Sequence, residues 1–214
     1  MTNERPSSEE AILDAAERVF SAFGYEGASM RKIAESADVT QALLHYHFET
    51  KERLYAAVFE RRSTQINQER SKRLAELVAS TPPPTIEQIL HCYYAPVMLG
   101  SGVGRLGFAQ MVASTAMGND ERSNALIEKF YDPIAREFID AMIASEPRLS
   151  RNVAVWAYLF ALGARAYVSA PSNRASRLSD GGCDSADGRV TLSLLVTFVA
   201  GGIRSLIGGT PAES

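Results

Sequence analysis

Ser29 and Thr40 stand eleven positions apart, and each opens a short run with a single apolar face. A hydroxyl at such a position can accept from the free N–H groups of a first helical turn. After Ser29, the residues Ile33, Ala34 and Ala37 recur at i, i+1 and i+4, so 30–37 reads as a helix with a narrow buried stripe. Ala34 is small where two helices must approach closely. Asp38 interrupts, Val39 can turn into the core, and Thr40 caps a second helix over 41–47. That helix buries Leu44 and Phe48 and leaves Gln41, Ala42, Leu43, His45 and His47 pointing elsewhere. Two short capped helices joined by a tight turn have the form of a helix-turn-helix. The plain alternative is a small helical hairpin with ordinary polar exposure, since short helix pairs are common.

The outward set suits a DNA groove. A helix fits the major groove, where Gln and His reach base edges and an apolar side chain can meet a thymine methyl. His45 and His47 do not form a metal pair, because that spacing puts their rings on different faces. The adjoining residues sharpen the reading. Ile33-Ala34, Ala37, Val39, Leu44-His45-Tyr46-His47-Phe48, Lys51 and Leu54 follow an aromatic-rich first helix that ends in Phe20-Ser21-Ala22-Phe23-Gly24. In these residues the first quarter of the chain resembles the amino-terminal domain of the TetR family of bacterial repressors. The resemblance implies an all-α fold: a three-helix DNA-binding domain over 1–50, a connecting fourth helix over 51–79, and a larger helical ligand-binding and dimerisation domain over 51–214. It implies operator DNA as a partner, with Gln41, Leu43 and His45 choosing bases. Thr40, Tyr46, His47 and Lys51 would hold phosphates, with Ser29, Met30, Arg31 and Ala42 completing the DNA face.

Charge alone argues less clearly. The first fifty residues carry four basic groups against nine acidic ones, and the whole chain has a net charge of −3. Position matters more than the sum, because Glu9, Glu10, Asp14 and Glu17 fall on the first helix and can face away from DNA. Cys92 and Cys183 are far apart, lack metal spacing and read as free thiols of a reducing cytoplasm. The start lacks the apolar core of a signal peptide. The apolar run 190–203 is shorter than the roughly 20 residues that a bilayer span requires. These features predict a cytoplasmic protein with no membrane partner.

Residues 8–23 carry a stripe of Ile12, Ala16, Val19, Phe20 and Phe23, with Ser7 or Ser8 as cap and Gly24 as terminator. The fourth helix starts at the Thr50 cap and stops before Pro82-Pro83-Pro84. Thr85 and Gln88 form a capping box that opens a helix to Leu99. Residues 100–104 read as a glycine loop without the following Lys-Ser/Thr of a phosphate-binding loop. Helices are expected over 106–117, over 120–144 with Pro133 as a kink or boundary, over 150–170 and over 189–207. Residues 171–188 should be a mobile loop. The count is about nine helices, with no strand alternation and no repeat.

Two of these helices, 153–162 and 192–203, are apolar on nearly every side, which requires cover on more than one face. A second copy of the chain can supply it. The family resemblance implies the same pairing through the last two helices, and Val155, Leu159, Leu162, Leu192, Leu195, Phe198, Val199 and Ile203 are the candidates. Large adaptable side chains with a few polar groups mark a small-molecule pocket. His91, Tyr94, Met98, Phe108, Met111, Thr115, Tyr131, Phe138, Trp156 and Arg165 supply such a set. A buried Arg165 needs a partner, either a carboxylate of the second chain or an anionic ligand. No nucleophile–base pair, metal box or nucleotide loop is present, so no catalysis, metal or cofactor is expected. The sequence reading is a ligand-responsive, dimeric repressor of a palindromic operator. The alternative is a DNA-binding structural or assembly protein with the same head and no small-molecule effector.

Overall fold

The computed structural model describes residues 7–100, 105–168, 174–184 and 187–208. The described residues form eleven helices and no strand. They are α1 (Ser8–Gly27), α2 (Met30–Ala37), α3 (Gln41–Phe48), α4 (Lys51–Val78), α5 (Ile86–Met98), α6 (Arg105–Ala116), α7 (Glu121–Phe130), α8 (Asp132–Ser145), α9 (Arg151–Val168), α10 (Arg174–Leu178) and α11 (Gly188–Gly208). The two helices beyond the expected nine have local causes. The stretch expected as one helix over 120–144 divides at Tyr131, and Pro133 sits in the first turn of α8, where its missing N–H is not needed. The segment expected as a loop over 171–188 contains the short α10. Residues 101–104, most of the expected glycine loop, lie outside the described residues, as do parts of 171–188 and the ends of the chain.

The caps expected from sequence form. Ser7 and Glu10 close a capping box on α1, and Thr85 and Gln88 close another on α5. The Ser29 and Thr40 hydroxyls accept from the N–H groups of Lys32 and Leu43, both at 3.2 Å. Gly24 ends the regular part of α1 with φ of 67°, and one further turn follows. Asp38, between α2 and α3, takes a left-handed conformation with φ of 54°, and its N–H reaches the α2 carbonyls. Aspartate tolerates this region better than most residues.

Contacts divide the chain into two compact units, Met1–Gln65 with Gly102–Phe130, and Ile66–Ser101 with Tyr131–Ser214. The division passes through α4. The first unit therefore contains α6 and α7 besides the amino-terminal helices, so a compact unit is not the same as the sequence segment 1–50. Its core joins Ile12, Val19, Phe20, Ile33, Leu44, Leu54, Phe59 and Phe108, all buried. Edge-to-face contacts of Phe20 with Tyr55 at 4.9 Å and of Phe59 with Phe108 at 5.6 Å tie α1, α4 and α6 together. Gly107 lets α6 approach α1 closely, since a Cβ there would stand 2.8 Å from Ser21 Cβ.

The second unit packs α5, α8, α9 and α11 around Tyr93, Tyr94, Phe138, Met142, Ala161, Leu195 and Val199. Over Gly188–Ile207, α11 is 20 residues long with a mean hydropathy of 1.8, enough by length and composition to cross a bilayer. The uncharged run 190–203 lies within this longer helix, which also carries Arg189 and Arg204. About a third of that window, 33%, is buried in the chain. Leu192, Leu195, Val199, Ala200 and Ile203 face the unit's own core.

Candidate nucleic-acid interface

The site is built from α2, the Asp38 turn and α3, and the packing of Ile33, Ala34, Leu44 and Phe48 sets which side chains face out. Gln41, Ala42, His45 and Tyr46 are exposed on α3, and Tyr46 is 81% exposed. Leu43 and His47 are half-buried at its edges, and Thr40 is exposed at its start. On α2, Ser29 and Arg31 are exposed and Met30 is half-buried. The structure thus gathers ten of the eleven expected DNA residues on or beside the two short helices.

The eleventh, Lys51, turns inward. Its ammonium donates to the carbonyls of Tyr25 at 2.9 Å and Ala28 at 3.2 Å, and lies 4.3 Å from the centroid of the Tyr25 ring. The sequence assigns this cation to phosphate. The structure uses it to cap the carboxyl end of α1. Its partners precede it by more than twenty residues, beyond the reach of local pattern.

The acidic charge near this face is largely paired within the unit. Glu17 is buried and accepts from Arg62 Nε at 2.7 Å and Arg61 Nη2 at 3.3 Å, while Asp14 accepts from the same Arg61 at 2.8 Å. Glu10 closes its capping box, and Glu35 and Glu49 lie beside Arg31 and Arg53. Much of the acidic charge of the first fifty residues is therefore offset locally. His45 Nδ1 lies 2.9 Å from the carbonyl of Glu49. A carbonyl only accepts, so Nδ1 is the donor in this bond, and Nε2 is the ring nitrogen left toward solvent.

The expected ligand residues fall in both units, and each unit is described by itself. Phe108, Met111 and Thr115 belong to the first unit, where Thr115 Oγ1 lies 2.9 Å from the Tyr55 hydroxyl. His91 is exposed and lines an open groove of about 960 Å³ with Arg73, Glu76, Glu87 and Thr197. Tyr94 and Phe138 line a small enclosed space in the second unit. Met98 and Tyr131 are half-buried, and Arg165 is buried nearby in sequence to the Ala161 and Leu162 wall. Trp156 is 60% exposed and stacks on Phe160 at 5.9 Å, so it lines neither space.

The expected dimer residues divide as well. Val155, Leu159 and Phe198 are exposed, and Leu162 is half-buried. Leu192, Leu195, Val199 and Ile203 pack in the core of their own unit. Trp156, Phe160, Val190 and Leu194 are exposed instead. A helix apolar all round gives no rotational phase, so the sequence could identify the helices but not their outward faces. Both cysteines are free, Cys92 buried and Cys183 exposed. Among the described residues no cluster of three or more metal-ligating side chains occurs.

Comparisons with known proteins agree with this geometry. Residues 12–58 match the family model described as bacterial regulatory proteins, tetR family. Residues 91–202, just over half of the chain, match the tetracyclin repressor-like carboxy-terminal domain. The HTH-type transcriptional repressor AcnR of Corynebacterium efficiens is 33% identical over 79 residues, 36% of this chain and 38% of that protein. The HTH-type transcriptional regulator RutR of Escherichia coli is 46% identical over 52 residues, 24% of each chain. The chain thus aligns with well under half of the length of these curated relatives. A TetR-family transcriptional regulator from Bordetella parapertussis has the same fold, with a TM-score of 0.65 at 18% identity over 89% of this chain and 95% of that one. The helix-turn-helix, the all-helical architecture and the two family matches have one meaning: the chain belongs to the TetR family of bacterial regulatory proteins.

Proposed function

We propose that the protein is a cytoplasmic, dimeric repressor that binds a palindromic operator and is released from it by a small molecule. The observation that carries the reading is the exposed face of α3, where Gln41, Ala42, His45 and Tyr46 project from a helix whose opposite side is locked by Leu44 and Phe48. Gln41 can bond adenine through N6 and N7, and His45 Nε2 can accept from an amino group of adenine or cytosine. Ala42 and Leu43 can meet a thymine methyl. Thr40, Tyr46, His47 and the starts of α2 and α3 suit phosphates, because helix amino termini favour anions.

The exposed aromatic and aliphatic face of α9 and α11 supports the dimer. Trp156 and Phe160 at 60% exposure and Phe198 at 75% are costly in water unless a second copy covers them. A two-fold dimer places two recognition helices on successive major grooves about 34–36 Å apart, which is why the operator should be palindromic. The test is selection of bound sequences from random duplexes with the purified protein, followed by footprinting. Enrichment of a palindrome protected symmetrically supports the reading. Retention without sequence preference refutes it. Replacement of Gln41 by Ala should change base preference at one symmetric pair of positions and leave the others unaltered.

A further inference from the structure

Two arginines stand where the inward stripes of their helices would otherwise carry apolar side chains. On α9 the buried positions run Ala154, Ala157, Tyr158, Ala161 and then Arg165. On α4 they run Ile66, Arg70 and Leu74. Arg70 is 2% exposed and Arg165 is 5% exposed. A buried cation is costly unless acceptors surround it. Arg70 has them: Nε donates to the Tyr93 carbonyl and Nη1 to Asn67 Oδ1, both at 3.0 Å. Its guanidinium also lies 4.0 Å from the Tyr93 ring centroid. Arg165 is different. Its Nε and Nη1 are buried and meet no acceptor among the described residues.

Among the described residues no ion pair joins a carboxylate to Arg165. Four acids of this unit pair with other cations, Glu87 with Arg204, Asp140 with Arg151, Glu146 with Arg148 and Glu69 with Arg73. The groups that act on Arg165 electrostatically are Tyr93, Tyr131 and Tyr94, and Arg70, whose like charge adds to the cost of burial. The Tyr93, Tyr94 and Tyr158 phenols are already engaged with one another and with the backbone. Tyr93 and Tyr158 share a bond of 3.0 Å, and the Tyr94 hydroxyl donates to the Ala161 carbonyl at 3.1 Å. Beside them lies an enclosed space walled by Ile89, Leu90, Phe138, Met142 and Leu162.

We infer that Arg165 anchors the carboxylate of an organic acid whose apolar body occupies the tyrosine-walled centre of this unit. The inference rests on the reading that the protein responds to a small molecule, and it assigns the chemical class of that molecule. One positive charge matches a monoanion, since Arg70 has its donors committed. A planar carboxylate suits the fork of a guanidinium. The walls are apolar beyond the tyrosine hydroxyls, so the remainder of the ligand is apolar too. The enclosed space is about 10 Å³, room for roughly a single water, so the acid binds an expanded arrangement in which flexible Met142 and half-buried Leu162 give way. A ligand that binds only the expanded form shifts the protein toward it.

The test uses the full chain and calorimetric titration with octanoate and phenylacetate beside their uncharged amides, octanamide and phenylacetamide. At least one acid is expected to bind, roughly tenfold to hundredfold more tightly than its amide, from hydrogen bonds to a charged group. Arg165→Met should fold, melt no lower than the parent without ligand, and lose the preference for acid over amide. Arg165→Lys should keep the preference at reduced affinity. The inference is overturned by equal binding of acid and amide, by no binding of either acid, or by an Arg165→Met protein that keeps the preference. It is also overturned if Arg165→Met does not fold, for then the cation serves a structural anion. Release of a fluorescent operator is followed in parallel. If octanoate binds through Arg165 and leaves the DNA complex intact, the site stands and the effector reading falls. If an uncharged compound releases operator equally from the parent and Arg165→Met, the effector reading stands and this site falls.

Discussion

Lys51→Met separates two roles that the sequence cannot distinguish. Methionine keeps most of the side-chain stem and removes the ammonium. In the structure that ammonium makes two bonds to carbonyls, at 2.9 and 3.2 Å, and lies over the Tyr25 ring. Bonds involving a charged group are worth roughly 1.5–3 kcal/mol each when sheltered, and a cation over a ring about 0.5–1 kcal/mol. Lys51 is only half-buried, and water can replace part of what is lost. A net loss of about 2 kcal/mol follows, or roughly 4–8 °C in melting temperature for a chain of this size. A phosphate contact has another signature. Its removal lowers the salt dependence of DNA binding by about one released counterion, with little effect on stability. Urea unfolding of the free protein and fluorescence anisotropy on one operator across a range of salt concentrations read both quantities. The capping role requires lost stability with an unchanged salt slope among the molecules that remain folded. An unchanged melt with a slope reduced by about one would show that Lys51 swings out to DNA, and the account of α1 termination would be wrong.

Other substitutions test other parts of the fold. Phe198→Arg places a charge in the proposed interface of α9 and α11, and should give monomers in sedimentation with loss of specific DNA binding. Trp156 is the only tryptophan, so the same variant should shift its emission to the red as the partner's cover is lost. Gly107→Ala brings a methyl within 2.8 Å of Ser21 Cβ and should cost about 1–3 kcal/mol in urea unfolding, with Ser21→Gly restoring part of it. Burial pushes the Cys92 thiol up to about 11, so iodoacetamide at pH 8 should modify exposed Cys183 and spare Cys92. Because the folded value is raised, the associated stability is complete below the ordinary thiol range and declines as pH rises from about 9 to 11, which unfolding in that window would register.

The parts of this protein that were legible in the sequence are those whose causes are local. Ser29, Thr40 and Thr85 meet their partners three residues away, so pattern and geometry are nearly the same statement. The buried pair Leu44 and Phe48 fixes the phase of α3 and hence its outward face. Long-range pairing was hidden. Lys51 finds carbonyls 23 and 26 positions earlier, and Tyr55 finds Thr115 60 positions later. The apolar helices α9 and α11 exposed the opposite difficulty. Leu195 and Leu194 are adjacent and chemically identical, yet one lies in the core and the other faces out. Only the neighbours that pack on α11 decide between them.

The bond between His45 and Glu49 carries a consequence for how DNA preference can change. Glu49 ends α3 with φ of 52°, and the position of its carbonyl holds the proton on Nδ1 of the histidine ring. Whether that ring offers the groove a lone pair or an N–H is therefore set by backbone geometry at a residue with no role as a base contact. A glycine at this position would free the peptide to rotate, and the histidine could then exchange its acceptor edge for a donor edge. The base preference proposed for His45 would then invert although every side chain proposed to face the groove stayed the same. Specificity in such a reader is partly grammatical: the turn that punctuates the helix governs how one of its letters is pronounced.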